Sequence, residues 1–503
     1  MQTLERDRIR TGPGDRSRVL PAAIAVALTV GVLARLTTRS GLWLDEALSV
    51  HIARLPLEQI PAALRRDGAP PVYYLLLHGW MAVFGPSAAA VRALSTVFGV
   101  AALPAVWLLG RRLRDRATGW LAILLLASSP FAVHYATEAR MYALVVLEVV
   151  LLGLMLLRAA ERPSWGRLAG VSIACAALVL THYWSLFLMV ALAAVLLRRR
   201  LHRLLAAQAA SALLVLPWLP TLAFQVRHTG TPWAPAPSLS AALDTVTAWA
   251  GGSSGGGQVL SLLLLALFVL ALLGRTTSAG VLLARPRDRT AGDLALLAAG
   301  TLLLGLLIGQ VVRAGYAPRY SSIALAPALL LGALGLRVLS GRTRIALTCL
   351  TVGLGLLGSV GNPFDDRKTQ AGQVAAVLRS RLAPGDVVVI CPDQLGPALA
   401  DLLPAGAAAV VYPTLAGPDR VDWVDYAERN AAASPTAFVQ EVLRRAGGHT
   451  VWLVTEPGYR TFGRACSQVG HILTARAAKT AKLVSSNRHF AEREALFRFT
   501  GRR

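Results

Sequence analysis

Between residues 19 and 361 the chain is a succession of apolar stretches joined by short loops, and that alternation constrains the fold more than any other feature. The stretches fall at 19–37, 88–110, 117–133, 141–158, 167–183, 184–198, 204–224, 258–274, 292–312, 320–338 and 344–361. Against the ~20 apolar residues needed to cross a bilayer, they read as about 11 transmembrane helices. With 55% hydrophobic and only 16% charged residues, the 503-residue chain lacks the polar surface of a soluble protein of its size. The expected class is a polytopic α-helical membrane protein.

A net charge of +24 would suit a nucleic-acid partner, but the positions of the charges argue against one. Arg111-Arg112-Leu113-Arg114, the segments 158–167, 275–289 and 337–344, and Arg198-Arg199-Arg200 all fall on one side of the alternation, with the arginines of the N-terminal segment. The opposite loops hold isolated arginines. That is how orientation is encoded in a bilayer, and it puts the N-terminus in the cytoplasm, with residues 1–18 as a tail, and the C-terminus outside a plasma membrane. The tail carries no cleavable-signal pattern. Lysine occurs only at Lys368, Lys479 and Lys482.

From residue 362 the character changes. Val387-Val388-Val389-Ile390, Ala409-Val410-Val411-Tyr412 and Val451-Trp452-Leu453-Val454 are β-rich runs, alternating with helical patterns such as 369–382 and 436–445. Residues 362–503 therefore read as a small extracytoplasmic α/β domain. It has no glycine motif suited to phosphate. Of the four cysteines, Cys175 and Cys349 sit in apolar helices as small core residues, while Cys391 and Cys466 fall in this domain and the sequence leaves their pairing open.

The outside loops carry the chemistry. The longest, 38–87, begins with Trp43-Leu44-Asp45-Glu46-Ala47, two adjacent acids just past the first apolar stretch. A carboxylate at a membrane surface is costly to desolvate, so it marks a task. Asp45 reads as the base of a membrane-embedded transferase. Further along this loop, Leu57, Ile60 and Leu64 beside Arg65 and Arg66 suit an amphipathic helix lying on the membrane. Val72 to Trp80 reads as a second helix dipping into the interface. The second loop, His134 to Tyr142, packs Glu138 and Arg140 with a histidine and two tyrosines. The third, 225–257, is rich in Pro and Gly and reads as a mobile lid or a plain connector. The fourth runs from Arg313 to Tyr320.

Taken together, the Asp45-Glu46 pair, Pro70-Pro71-Val72-Tyr73-Tyr74-Leu75-Leu76-Leu77-His78, Glu138-Ala139-Arg140-Met141-Tyr142-Ala143-Leu144 and Pro318-Arg319-Tyr320 resemble the GT-C glycosyltransferases. The likeness is to the branch of protein O-mannosyltransferases and aminoarabinose transferases, and it covers about residues 20–370. It implies inverting transfer of one sugar from a polyprenyl-monophosphate donor to an acceptor hydroxyl on the outer face. Asp45 then takes the role of general base, with Glu46 as support or substitute. Where many relatives have His before the Pro-Pro pair this chain has Ala69, and where they often have Gln it has Thr137, so those contacts do not carry over.

Sugar transfer needs a base for the acceptor proton and a cation for the leaving phosphate. Arg140 and Arg319 are the candidates for the phosphate, because a guanidinium grips two oxygens at once, with Glu138 orienting Arg140. Anchoring to anionic lipid headgroups is the plainer reading for both arginines. Asp67, Tyr73, Tyr74, His78, His134, Tyr142, His182 and Tyr320 are candidates to line the substrate cavity; for the tyrosines the plainer reading is an interface belt. Some relatives bind a divalent ion near Asp67 and His78, but two ligands fall short of a structural site, and no other cofactor is expected. Mannose is the expected sugar and a cell-envelope glycan or glycolipid the expected acceptor, with arabinosyl or protein O-mannosyl transfer as alternatives. A lipid-linked substrate transporter would show mid-membrane ionisable groups and a repeat, which the sequence does not display. A silent assembly protein would have no use for these polar loops.

Overall fold

The computed structural model describes residues 13–36, 40–231, 234–238, 240–278, 280–284, 288–360, 367–456 and 459–502. Most of the expected N-terminal tail, the expected domain boundary at 362 and part of the Pro-rich 225–257 loop lie outside the described residues.

The chain opens with α1 (Pro13–Ala34), followed by three short helices, α2 (Leu44–Ala53), α3 (Ile60–Asp67) and α4 (Val72–Phe84). The bundle continues through α5 (Ala88–Leu113), α6 (Arg116–Ser128), α7 (Pro130–Ala136), α8 (Tyr142–Glu161), α9 (Trp165–Thr181) and α10 (Ser185–Arg198). Next come α11 (His202–Val215), α12 (Leu219–His228), α13 (Ala241–Trp249) and α14 (Gly255–Leu273), then the hairpin of β1 (Gly274–Thr277) and β2 (Gly280–Leu283). It closes with α15 (Arg289–Ala295), α16 (Thr301–Val311), α17 (Ser322–Val338) and α18 (Gly341–Val360). A helix occupies each expected apolar stretch. Among the described residues six helical runs are long and apolar enough to cross a membrane, seven if α6 and α7 count as one bent span. The chain is a multi-pass membrane protein.

The stretch expected as one span at 117–133 is broken. A residue before proline is pushed out of the helical region, and Ser129, ahead of Pro130, is extended at φ −67°, ψ 116°. Its hydroxyl accepts from the Ala132 amide and caps α7, which leaves α6 at 60°. The expected surface helix around Leu57 also differs. Ile60 and Leu64 are fully buried in the protein core rather than facing lipid, and Leu57 lies ahead of α3, exposed. Gly68, at φ +87°, ends α3 in the left-handed conformation that glycine adopts without penalty.

The centre of the bundle is α17, buried along almost its whole length. Small residues let its neighbours approach: a Cβ on Gly335 would lie 2.0 Å from the Leu267 carbonyl of α14.

Residues 367–502 build a separate layer. Helix α19 (Ala371–Arg381) leads into β3 (Val387–Cys391), α20 (Gly396–Ala400), β4 (Ala408–Val411), α21 (Tyr426–Ala432), α22 (Pro435–Ala446), β5 (Val451–Thr455), α23 (Ala465–Arg476), β6 (Ala477–Val484) and β7 (Ala495–Arg502). The sheet runs β4-β3-β5-β7-β6, with β4, β3 and β5 parallel and β7 and β6 antiparallel. Strands β3 and β5 are buried on both faces, which is why they read as unbroken apolar runs. Cys391 and Cys466 are joined in a disulfide that ties β3 to α23.

Helix α2 belongs to both layers. Its Val50, Ile52 and Ala53 pack into the core of the membrane bundle, whereas Leu44 and Leu48 pack with Val389, Cys391 and Tyr412 in the core under the sheet. Arg54 and His51 add ion pairs to Asp401 at 2.7 and 3.3 Å. The first turn of this shared helix carries Asp45 and Glu46.

Candidate active site

Helix α2 starts without a side-chain cap at Trp43. The Leu44 amide instead donates to Glu492 Oε1 at 3.3 Å, so a residue from just before β7 satisfies a helix N-terminus 448 positions away. Asp45 and Glu46 both lie in the first turn, where the helix dipole favours negative charge. Successive helical residues point about 100° apart, and these two acids take different partners.

Glu46 is fully buried and held bidentately by Arg92, Nε at 2.7 Å and Nη2 at 2.6 Å. Its Oε1 also accepts from the Ala139 amide at 2.9 Å. Arg92 in turn donates to the Ser40 and Gly41 carbonyls, at 2.7 and 2.9 Å. With both oxygens engaged in this buried ion pair, Glu46 is corrected from support or substitute base to a structural anchor. Asp45 faces Arg319, whose Nη1 lies 2.9 Å from Oδ2, in a pair that is mostly buried but reaches solvent. Arg319 therefore touches the candidate base itself.

Arg140 is held differently. Its Nη1 donates to Ser49 Oγ at 3.0 Å, to the Tyr74 hydroxyl at 3.3 Å and to the backbone carbonyl of Asp45 at 3.3 Å. Its hydrogen-bond partners are thus neutral oxygens, with the Asp45 and Asp67 carboxylates close enough to act on its charge. Ser95, which bonds the Tyr73 hydroxyl at 3.2 Å, also donates to the Arg140 carbonyl at 3.1 Å. Tyr74 donates to Asp67 at 3.2 Å. Burial pushes the Asp67 carboxyl up to about 6, against the pull of Arg140 and Tyr74.

Glu138 does not orient the Arg140 guanidinium, as the sequence suggests. Its carboxylate meets Lys368 Nζ at 3.2 Å and His134 Nε2 at 3.3 Å, and only its backbone carbonyl accepts from the Arg140 amide, at 2.8 Å. Burial works against its charge, yet Lys368 and His134 hold it well below the usual carboxylate range. Asp67 and His78, the possible metal pair, take separate partners here: Asp67 accepts from Tyr74, and His78 Nδ1 bonds the Ala53 carbonyl at 2.8 Å. Among the described residues no three His, Cys, Asp or Glu side chains cluster as ligands.

The remaining candidates form an aromatic file. Tyr135, Tyr142, His182, Tyr320 and Trp184 follow one another with ring centroids 4.8, 5.8, 5.5 and 5.9 Å apart. Arg319 sits at the Tyr320 end of this file and also 5.8 Å over the Trp43 ring. Sequence reasoning missed Arg92, Lys368 and Glu492. Arg92 had a signal, an ionisable residue inside an expected span, and Lys368 had one, a lysine in a chain that otherwise uses arginine.

Comparisons with known proteins agree with this architecture. Residues 68–224 match the family described as dolichyl-phosphate-mannose-protein mannosyltransferase. The whole fold is similar to ArnT from Cupriavidus metallidurans in the apo state, with a TM-score of 0.60 at 14% identity, covering 96% of this chain and 98% of that one. The same enzyme bound to undecaprenyl phosphate gives a TM-score of 0.57 at 13% identity over 95% and 98% of the two chains. No curated protein sequence matches the chain. The chain therefore shares the fold of ArnT over nearly its whole length, and its residues 68–224 match the mannosyltransferase family.

Proposed function

We propose that this chain transfers one sugar, mannose, with inversion from a polyprenyl-monophosphate donor to a hydroxyl of a cell-envelope glycan or glycolipid. The observation that carries the reading is a carboxylate, Asp45, beside a buried guanidinium, Arg140, whose hydrogen bonds go to neutral oxygens. Hydrogen bonds of that kind are readily exchanged for stronger ones to an incoming anion, and a monophosphate ester supplies one.

In this mechanism Asp45 takes the proton of the acceptor hydroxyl. The freed oxygen attacks the anomeric carbon as the bond to the phosphate oxygen breaks, and the polyprenyl phosphate leaves carrying the negative charge. Arg140 binds that charge, Arg319 orients the base through its 2.9 Å contact, and the file from Tyr142 to Tyr320 flanks the sugar. Inversion follows from attack opposite the leaving group. Under this reading the protein lies in the plasma membrane with eleven spans and a cytoplasmic N-terminus. Its sheet layer sits outside and contributes to acceptor binding.

The test is transfer by purified protein in lipid from labelled polyprenyl-phosphate-mannose to envelope glycolipid, with Asp45→Asn alongside. Removing a general base costs on the order of 10²–10⁴-fold in turnover, and the variant is expected to lose activity while still binding donor. An Asp45→Asn enzyme as fast as wild type rules out Asp45 as the base. A wild-type enzyme that is inactive with mannose but active with another polyprenyl-linked sugar corrects the donor and keeps the reaction class.

A further inference from the structure

The segment that opens the sheet layer does more than link it to the bundle. Lys368 is almost wholly buried, although it comes from the opposite end of the sequence to the residues it meets. Its Nζ lies 3.2 Å from Glu138 Oε1 and 3.5 Å from the Thr137 carbonyl, and its amide donates to Ser40 Oγ at 2.9 Å. Its carbonyl accepts from the Glu492 amide at 2.8 Å, and the Glu492 carbonyl accepts from the Gln370 amide at 3.0 Å. Glu492 is also the residue that caps α2 at Leu44.

Residues 137–141 therefore hang from two fixed points. Glu138 is pinned by Lys368 and His134, and the next amide, Ala139, is pinned by Glu46. Arg140 follows directly, and its direction is set by how that turn is held. A lysine whose ammonium meets one backbone carbonyl and one buried carboxylate, and whose own amide and carbonyl are both bonded, has little freedom, so it transmits the position of the sheet layer to the turn.

We infer that Lys368 is a positioning residue for the donor-phosphate arginine, supplied to the membrane site by the sheet layer. The inference rests on the reading of Arg140 given above. Without Lys368 the buried Glu138 carboxylate loses the nearer of its two ion-pair partners and keeps His134, with Arg319 acting from further off; the turn loosens, and Arg140 no longer meets the phosphate in one geometry.

The experiment compares wild type, Lys368→Met, Lys368→Arg and the double variant Lys368→Met with Glu138→Gln, all in lipid. The first readout is hydrogen exchange at residues 137–142, which reports the turn whatever the substrate is. Exchange is expected to rise in Lys368→Met and to return toward wild type in Lys368→Arg. The second readout is binding of polyprenyl monophosphate alone, expected to weaken roughly 10-fold in Lys368→Met, with the turnover of bound donor less affected. In the double variant, which removes both charges, the phosphate affinity is expected to be no worse than in Lys368→Met. Unchanged exchange in a folded Lys368→Met overturns the inference. Exchange that responds while wild type itself binds no polyprenyl phosphate keeps the positioning role and overturns the donor reading instead.

Discussion

At the residue scale, the two adjacent acids of α2 take different partners, Arg319 for Asp45 and Arg92 for Glu46, and under the proposed mechanism their variants are expected to fail in different ways. Glu46→Gln leaves Arg92 buried beside a neutral amide. Breaking one side of a buried ion pair costs about 3–5 kcal/mol, so this variant is expected to unfold at a lower temperature in a thermal melt. Asp45→Asn is expected to melt like wild type and lose turnover. A Glu46→Gln protein of normal stability with an altered pH–rate profile would return Glu46 to the chemistry. Asp45 stood out as a candidate because position alone, a carboxylate at the end of an apolar stretch, separates it from ordinary surface acids. The partners of Glu46 and Glu138 were not. Arg92 lies 46 residues from Glu46, and Lys368 lies 230 from Glu138, separations at which no sequence period survives.

At the element scale, the approach of α17 to α14 is expected to be intolerant of any side chain at one position. A Cβ on Gly335 meets the Leu267 carbonyl at 2.0 Å, and backbone on that side has no rotamer with which to move away. Overpacking of this kind costs about 1–3 kcal/mol. Gly335→Ala is therefore expected to lower the melting temperature. Gly353→Ala on α18, where the space is open, serves as the control and is expected to be neutral or stabilising. Equal melting temperatures for the two variants would remove the close contact as a determinant of the bundle. The same scale explains what the sequence revealed of the helices and what it hid. Apolar length located the long helices but not the short α2 and α13, which lie in segments read as loops, and the break at Ser129 is a matter of backbone geometry before a proline that length cannot register. Strands β6 and β7 were hidden for another reason: β6 is mostly solvent-facing and carries Lys479 and Lys482, so it lacks the apolar run that marked β3 and β5.

At the scale of the whole molecule, the junction between the layers is expected to respond to pH, because two carboxyls are buried there. Burial pushes Glu492 up to about 8, with Asp45 and Glu46 adding to the effect and the bonds from Thr369 and the Leu44 amide opposing it. Burial raises Glu494 well above its usual value too, with Glu492 adding to the effect and a bond from Thr369 opposing it. The folded chain therefore keeps protons that the unfolded chain releases at ordinary carboxylate values. Stability is expected to fall as pH rises from about 4.5 to about 8. Glu492→Gln, which stays neutral, is expected to flatten that slope in melts run at pH 5 and pH 8. An unchanged slope would mean that Glu492 does not hold a proton in the folded state. The junction also explains why removing the sheet layer is a poor test of acceptor binding alone. Such a deletion takes away Lys368 and Glu492 and strips Leu44 and Leu48 of their packing, so donor and acceptor functions are expected to fall together.

The sharing of α2 between two cores also has a consequence in time. The strand that completes the sheet between β5 and β6 is β7, which follows the other four in the chain, and Glu492 precedes it by a few residues. Asp45 is synthesised early, yet the helix that carries it has half of its packing partners and its N-terminal acceptor still to come. A nascent chain therefore holds its base in a helix without a finished setting for as long as synthesis continues. The setting of that first turn is complete only once Glu492 and the strands under Leu44 and Leu48 are in place, so a copy stalled before them is expected to carry Asp45 on an unfinished helix.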